Sequence, residues 1–187
     1  MKQSLPLLFC AGVLCLLTAC GSSDKFFRLS ASESAPVGSA SGLSVSIGPV
    51  SLPSYIDRSE LVFQSGPNEY QLPPHQHWIG SLSENISRVL AADLGAVLHS
   101  ARVHSALEAK SGATYRVALE IHQFHGISGQ EAVLDLSWKI QDASGATISR
   151  HSGTFREPIV GDGYEPLVAA ESRLLAQCAR AIGASLR

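Results

Sequence analysis

Residues 115–140 read YRVALEIHQFHGISGQEAVLDLSWKI, and two β-strands can be recognised within this stretch. Val117, Leu119 and Ile121 alternate with polar or small residues, which is the pattern of a strand with one buried face. Phe124 falls out of that alternation, so we predict a β-bulge close to it. The later part alternates without interruption at its apolar positions, Leu134, Leu136, Trp138 and Ile140. The stretch therefore predicts two long strands, each with one face on a core.

Two helices are predicted outside these strands. Ser81 and Glu84 have the spacing of a capping box, and apolar residues then recur every four positions from Leu82 to Leu98. Pro166 and an apolar stripe that ends at Leu186 predict the second helix. Further strands are predicted at residues 43–47, 61–64, 69–72 and 147–156, with a hairpin turn at 65–68. This order predicts an α/β (α+β) sandwich, a mixed β-sheet covered by two main α-helices in a single domain.

The N-terminus has the features of a bacterial export signal. Lys2 precedes an apolar run from Leu5 to Leu17, which is too short to span a membrane and has the length of a signal-peptide core. The run ends in Leu17-Thr18-Ala19-Cys20, which resembles the lipobox of bacterial lipoproteins. We therefore predict cleavage before Cys20 and attachment of lipid chains to that cysteine, because two or more chains anchor a protein stably.

These features divide the chain into three parts. Residues 1–19 are predicted to be the signal peptide, and residues 20–42 the lipidated cysteine with a flexible tether. Residues 30–42 are rich in Ser, Ala, Gly and Pro, which suits a tether, and Phe26–Leu29 before them could form a first edge strand. The folded domain is predicted to cover residues 43–187.

The composition argues against several classes of function. The chain has 14 basic and 16 acidic residues without a basic cluster, which argues against nucleic acid as a partner. Nucleophile-elbow, phosphate-loop and zinc-protease motifs are absent from the sequence, so we predict a protein that is not an enzyme and has no cofactor besides the lipid on Cys20. His75 and His77 would point to the same side of an extended segment, but a zinc site needs a further placed ligand, so no metal site is predicted. Cys178 is expected to be a small buried residue on a helix.

The segment from Leu52 to Arg58 contains Pro53, which interrupts regular structure, and the aromatic residue Tyr55, and we predict an ordered loop. In one interpretation, Tyr55 and Ile56 fold back onto the edge of the sheet while Asp57 and Arg58 form a local ion pair. In the other, a loop stiffened by proline presents Tyr55 and Arg58 to a partner, since preordering lowers the entropy cost of binding and both residue types often dominate interfaces. The candidate contact residues are Leu52, Pro53, Tyr55, Asp57 and Arg58.

The same segment carries a family resemblance. Residues 47–58, IGPVSLPSYIDR, resemble the characteristic motif of the ABC-type transport auxiliary lipoproteins, the PqiC-like family. Further agreement is found at Trp78, Arg88, Val89, Leu90, Tyr115, Arg116, Val117, Leu134, Trp138 and 168–170. The chain departs from the family at Ser59-Glu60, where Pro-Gln is usual, and at residues 77–80, where HWIG replaces RWAE.

The resemblance implies a lipoprotein on the periplasmic side of the outer membrane. Its partners would be an MCE-domain lipid-transport protein and the associated inner-membrane or ABC transporter components, and it could form a homo-oligomer. Such systems move lipids between membranes, so the expected role is to dock the transport complex to the outer membrane and contribute to membrane integrity. A lipoprotein that binds a lipid or small ligand between helices and sheet is the main alternative, and a periplasmic hydrolase is a third.

Overall fold

The computed structural model describes residues 23–32, 42–108, 112–128 and 130–186, in the predicted order of strands, helix, strands and helix. The strands are β1 (Lys25–Phe27), β2 (Val45–Ser51), β3 (Phe63–Gly66), β4 (Glu69–Gln71), β5 (Gln76–Trp78), β6 (Val103–Ser105), β7 (Tyr115–Ile127), β8 (Glu131–Asp142) and β9 (Thr147–Pro158). The helices are α1 (Leu82–Val97) and α2 (Tyr164–Ser185). Neither helix combines the length and the apolarity needed to cross a membrane.

Strand β7 lies at the centre of the main sheet. It pairs antiparallel with β8 along its whole length, and β9 pairs with β8. On its other side, β2 pairs in parallel with the first half of β7 and β3 with its last residues. Strand β6 lies beyond β2, and β4 beyond β3, while β1 and β5 form a separate two-stranded parallel sheet. The predicted mixed sheet with two helices in a single domain is confirmed.

The predicted bulge is present in β7. Ile121 pairs with Leu136 and Gln123 with Asp135, so His122 is the additional residue. Before the bulge, Val117, Leu119 and Ile121 belong to the core, and after it Phe124 takes the same side. An inserted residue reverses the alternation of a strand, so Phe124 is buried under the helices although its sequence position breaks the pattern.

Both predicted helices are confirmed, with one boundary shifted. The hydroxyl of Ser81 accepts a hydrogen bond from the backbone N–H of Glu84 at 3.4 Å, which places the start of α1 where the capping pattern predicts it. Helix α2 begins at Tyr164, two residues before Pro166. Pro166 is tolerated in this first turn because the N–H groups there have no partner within the helix. The predicted hairpin is formed by β3 and β4.

The segment before residue 43 is packed rather than free over the part that the structure describes. Strand β1 pairs with β5, and Leu29 is buried in the core. The backbone N–H of Ser30 donates to the hydroxyl of Ser172 on α2, and that of Ser32 donates to Asp93 on α1 at 2.9 Å. Strand β1 lies close to the first edge strand expected at Phe26–Leu29, and Ser30 and Ser32, at the start of the expected tether, are hydrogen-bonded to the two helices. The tether over residues 30–42 stays a prediction. Residues 33–41, the signal peptide 1–19 and Cys20 lie outside the described residues.

A buried carboxyl group lies in α2. Glu171 is 2% exposed, and its Oε2 atom has no hydrogen-bond partner among the described residues. Burial raises the pKa of this carboxyl well above its usual value of 4.5, because an ionised group would lose its hydration without compensation. Burial therefore favours the protonated, neutral form of Glu171 in the folded protein.

The two helices approach closely at their C-terminal ends. A Cβ atom on Gly183 would lie 2.7 Å from Cγ1 of Val97. We predict that Gly183→Ala lowers the free energy of unfolding by about 1 kcal/mol, because overpacking costs about 1–3 kcal/mol and outweighs a gain of about 1 kcal/mol in helix propensity. Urea unfolding checks this. In a Val97→Ala background the same change should be neutral or stabilising, and equal effects in both backgrounds would contradict the contact.

The Glu171→Gln variant should be more stable than the wild type above about pH 5. The unfolded chain releases this proton above pH 4.5 whereas the folded chain keeps it, so the contribution of Glu171 to stability falls as pH rises. The advantage of the variant should grow by up to about 1.4 kcal/mol per pH unit until the folded-state pKa is reached. Urea unfolding at several pH values measures it. Glu165→Gln at an exposed position of the same helix is the control, and an advantage that does not change with pH would refute the prediction.

Candidate functional site

The loop between β2 and β3 lies along an open stretch of the central strand. Strand β2 pairs with β7 as far as Glu120, and β3 pairs with it again from Gly126. Residues 121–125 of β7 are paired on this side by neither strand, and the loop spans the distance between the two. Its position follows from the topology, because two short strands share one edge of a longer strand.

Hydrogen bonds hold the loop in one conformation. The carbonyl of Pro53 accepts from the backbone N–H groups of Ile56 and Asp57, at 3.0 and 3.1 Å. The hydroxyl of Tyr55 donates to the carbonyl of His122 at 3.2 Å, which is the bulged residue of β7. Ile56 is fully buried in the core. The interpretation in which Tyr55 and Ile56 fold back onto the sheet edge is therefore confirmed.

The charged residues of the loop are paired differently from the prediction. The Nε atom of Arg58 lies 3.1 Å from Oε2 of Glu60, and the hydroxyl of Ser59 donates to the same oxygen. The hydrogen bond from Arg58, more than any other contact, lowers the pKa of Glu60 below its usual value. A local ion pair between Asp57 and Arg58 is thus a wrong expectation, because the carboxylate two residues further on takes the guanidinium. Glu60 is one of the two positions at which the chain departs from Pro-Gln, so that departure supplies the partner of Arg58.

The five candidate contact residues divide into two groups. Leu52, Pro53 and Tyr55 are half-buried, and Leu52 and Tyr55 pack against the core. Asp57 and Arg58 are exposed beside them. The loop therefore carries two charged side chains on a support that is fixed by its own hydrogen bonds and by the sheet.

An aromatic cluster lies under the loop. The ring of Tyr70 from β4 is 5.2 Å from the ring of Tyr55 and 5.2 Å from that of His125, and Tyr55 and His125 are 6.2 Å apart. His125 is buried, and its Nδ1 atom has no hydrogen-bond partner within the part of the chain that the structure describes. Burial lowers the pKa of His125 to about 4, and burial followed by the neighbouring Tyr70 raises the pKa of Tyr55 to about 12.

The cluster supports packing rather than proton transfer. With those pKa values, Tyr55 and His125 are neutral near pH 7, and neither is poised to exchange a proton there. Tyr70 and His125 are neighbours of the loop that the sequence patterns do not predict. The signal was the bulge, because reversing the alternation after His122 turns His125 away from the helices and toward the loop.

His77 of β5 and His75, which directly precedes this strand, lie close to a carboxylate. Oδ1 of Asp24 lies 2.8 Å from Nδ1 of His75 and 3.9 Å from Nε2 of His77. Both rings face the same side, as the alternation predicts, and the hydrogen bond to His75 lowers the pKa of Asp24. No group of three His, Cys, Asp or Glu residues is arranged to hold a metal ion within the described ranges.

The interior between the helices and the main sheet is filled. The aliphatic side chains there are fully buried, and they include Ile47, Ile86, Leu90, Leu94, Leu134, Leu136, Ile140, Leu174 and Leu175. Cys178 is buried among them, and burial raises its pKa to about 12, so it is the inert buried residue that the sequence predicts. A cleft of 730 Å³ beside Pro49, Ser87 and Arg116 lies at the end of the sheet.

The neutral state of His125 predicts a pH-dependent contribution to stability. The unfolded chain binds a proton at this residue below pH 6.5 and the folded chain only near pH 4, so the contribution is complete above pH 6.5 and is lost as pH falls. Relative to His125→Phe, the wild type should lose about 2 kcal/mol between pH 7.5 and pH 5. Urea unfolding at both pH values measures the difference. The exposed His122→Gln is the control, and identical pH profiles for wild type and His125→Phe would disprove the assignment.

Comparison with known proteins identifies the family. The family model described as "ABC-type transport auxiliary lipoprotein component" matches residues 27–183. No curated protein is significantly similar in sequence. The fold is similar to the crystal structure of an uncharacterized protein, with a TM-score of 0.72 and 18% identity over 89% of this chain and 100% of that one. It is also similar to a Xanthomonas campestris protein of the family model DUF330, with a TM-score of 0.70 and 14% identity over 87% and 94% of the two chains. Because the family model covers all the described strands except most of β1, as well as nearly the whole of both helices, the chain belongs to the family of ABC-type transport auxiliary lipoprotein components.

Proposed function

We propose that this chain is held to the periplasmic side of the outer membrane by lipid chains on Cys20 and docks an MCE-type lipid-transport complex there. The observation that carries the proposal is membership of a family of auxiliary lipoproteins of ABC-type transport. Its partners are then an MCE-domain protein and the associated inner-membrane or ABC transporter components. The role is positional, since the protein holds a docking surface at a set distance from the membrane.

The filled interior supports docking rather than transport of a ligand inside the domain. A lipid-binding protein needs an apolar cavity, and typical ligand pockets enclose about 300–1,000 Å³ between mostly apolar walls. Here the helix-to-sheet space is occupied by fully buried leucine and isoleucine side chains, among them Leu90, Leu134 and Leu174. A surface that contacts another protein requires no such cavity.

The loop supports the choice of contact surface. Asp57 and Arg58 are exposed, and the backbone beneath them is fixed by two hydrogen bonds to Pro53 and by the bond from Tyr55 to the sheet. A partner that binds them does not have to order the loop, which lowers the entropy cost of association. Arginine is also among the residues that most often dominate binding energy in protein interfaces. Asp57 and Arg58 are therefore the proposed contacts, with Leu52, Pro53 and Tyr55 as their support.

The link from the anchor to the domain is short. Four residues, 21–24, separate Cys20 from β1, which begins at Lys25. Even when fully extended, this link spans about 17 Å. The distance between membrane and docking surface is thus set by the dimensions of the domain rather than by a long tether.

A photo-crosslinking amino acid at position 57, in intact cells, tests the proposal. We expect it to capture an MCE-family protein, because Asp57 is exposed on the fixed loop. The matched control carries the photo-crosslinking amino acid at position 143, which is exposed in the β8–β9 turn. Mass spectrometry of the captured species gives the identity of the partner. Capture should disappear with Cys20→Ala, which should also abolish palmitate incorporation and release the protein from the membrane fraction.

Three outcomes would each contradict a different part of the proposal. Equal capture from positions 57 and 143 would show that the loop has no special role in contacting the partner. Capture of lipid alone, together with stoichiometric lipid in native mass spectra of the purified mature protein, would favour a ligand-binding lipoprotein. Retention of Cys20→Ala in the outer membrane would disprove the lipid anchor itself.

A further inference from the structure

The small sheet formed by β1 and β5 has one buried and one exposed face. Phe27 and Trp78 are paired in the register of the sheet and turn toward the core, where Trp78 is 5% exposed. Phe26 pairs with His77 on the opposite face, and their rings lie 5.7 Å apart. The backbone N–H of Ile79 donates to the carbonyl of Phe27 at 2.8 Å, which continues the pairing by one residue and, by alternation, puts Ile79 on the side of His77.

Two large apolar side chains are exposed on this outer face. Phe26 is 61% exposed and Ile79 is 56% exposed. Single exposed apolar residues are common on protein surfaces and need no explanation. These two differ because they lie on one face of one small sheet, and because the chain leads from that sheet directly to Cys20.

We propose that the outer face of the small sheet contacts the membrane, with Phe26 and Ile79 entering the boundary between lipid headgroups and acyl chains. This inference depends on the lipid anchor of the proposed function. The length of the chain identifies the membrane as the surface that covers this face, because the four residues 21–24 bring β1 to within about 17 Å of the anchored Cys20. A lipid surface is then the apolar phase nearest to the exposed side chains of Phe26 and Ile79.

A basic side chain next to the sheet fits the same surface. Arg28 is exposed and, by alternation, lies on the side of Phe26, and a long basic side chain can keep its charge among the headgroups while its stem lies on apolar surface. Asp24, which directly precedes β1, accepts a hydrogen bond from Nδ1 of His75 at 2.8 Å. Interfacial contacts of this kind combine buried apolar area with attraction between basic side chains and anionic lipids.

Binding to lipid vesicles tests the proposal without depending on lipidation in cells. A mature chain that starts at Cys20 is alkylated there with a single tetradecyl-maleimide chain, and buried Cys178 does not compete because its pKa is about 12. One such chain alone binds a bilayer only marginally, so an added contact by the domain is measurable. The probe is a vesicle of phosphatidylethanolamine and phosphatidylglycerol, and the partition coefficient is measured by sedimentation.

We expect the double variant Phe26→Ser/Ile79→Ser to partition about ten-fold more weakly than the wild type. The matched control is Leu107→Ser/Ile148→Ser, which removes two side chains that are 68% and 56% exposed elsewhere on the domain. The control should stay within about two-fold of the wild type, because its residues are outside the proposed contact. Equal partitioning of the two double variants would overturn the proposal.

A measurement on the unaltered side chains covers the case in which the first double variant does not fold. Hydroxyl-radical labelling of the vesicle-bound protein should be reduced several-fold at Phe26 and Ile79 relative to the free protein, and unchanged at Leu107 and Ile148. Equal labelling in both states would overturn the proposal, as would protection that depends on protein concentration in the absence of vesicles, since a second copy would then cover the face. Absence of palmitate from the wild-type protein in cells would disprove only the natural anchor, and the vesicle result would be judged separately.

Discussion

The structure depends on one inserted residue in the central strand. Without His122, the alternation that buries Val117, Leu119 and Ile121 would turn Phe124 away from the helices. The insertion keeps the later half of β7 on the core and at the same time turns His125 toward the opposite side. The carbonyl of His122 also accepts a hydrogen bond from the hydroxyl of Tyr55, so the bulge fixes the loop as well as the sheet. The fold and the candidate contact surface therefore both depend on this bulge, and bulges are common next to functional sites.

The elements that the sequence predicts well are those in which a repeated pattern and a local signal agree. Alternation predicts β7 and β8, and Ser81 predicts the start of α1, because capping is a contact between residues close in the chain. The loop was predicted as ordered because proline restricts its backbone. Its folding back onto the sheet could be stated only as one of two alternatives, since the acceptor of Tyr55 lies in a strand 67 residues away.

What the sequence could not predict involves partners distant in the chain. Leu29 is buried by elements that follow it in the chain, so its place in the core could not be predicted from the short segment Phe26–Leu29 alone. Arg58 had two carboxylates within reach, Asp57 and Glu60, and the conformation of the loop decides between them. The pairing of β4 with β3 places Tyr70 beside Tyr55, and amino-acid composition does not predict this pairing. Interactions between residues close in the chain therefore determine the helices and strands, whereas pairing between distant residues determines which side chains meet at the loop.

The two buried titratable side chains, Glu171 and His125, have a joint consequence for folding. Burial favours the neutral form of both groups, so it raises the pKa of Glu171 and lowers that of His125 relative to the unfolded chain. Folding therefore favours proton uptake at the glutamate and proton release at the histidine. The two changes have opposite signs, so each offsets the other in the net number of protons that folding exchanges with the solvent.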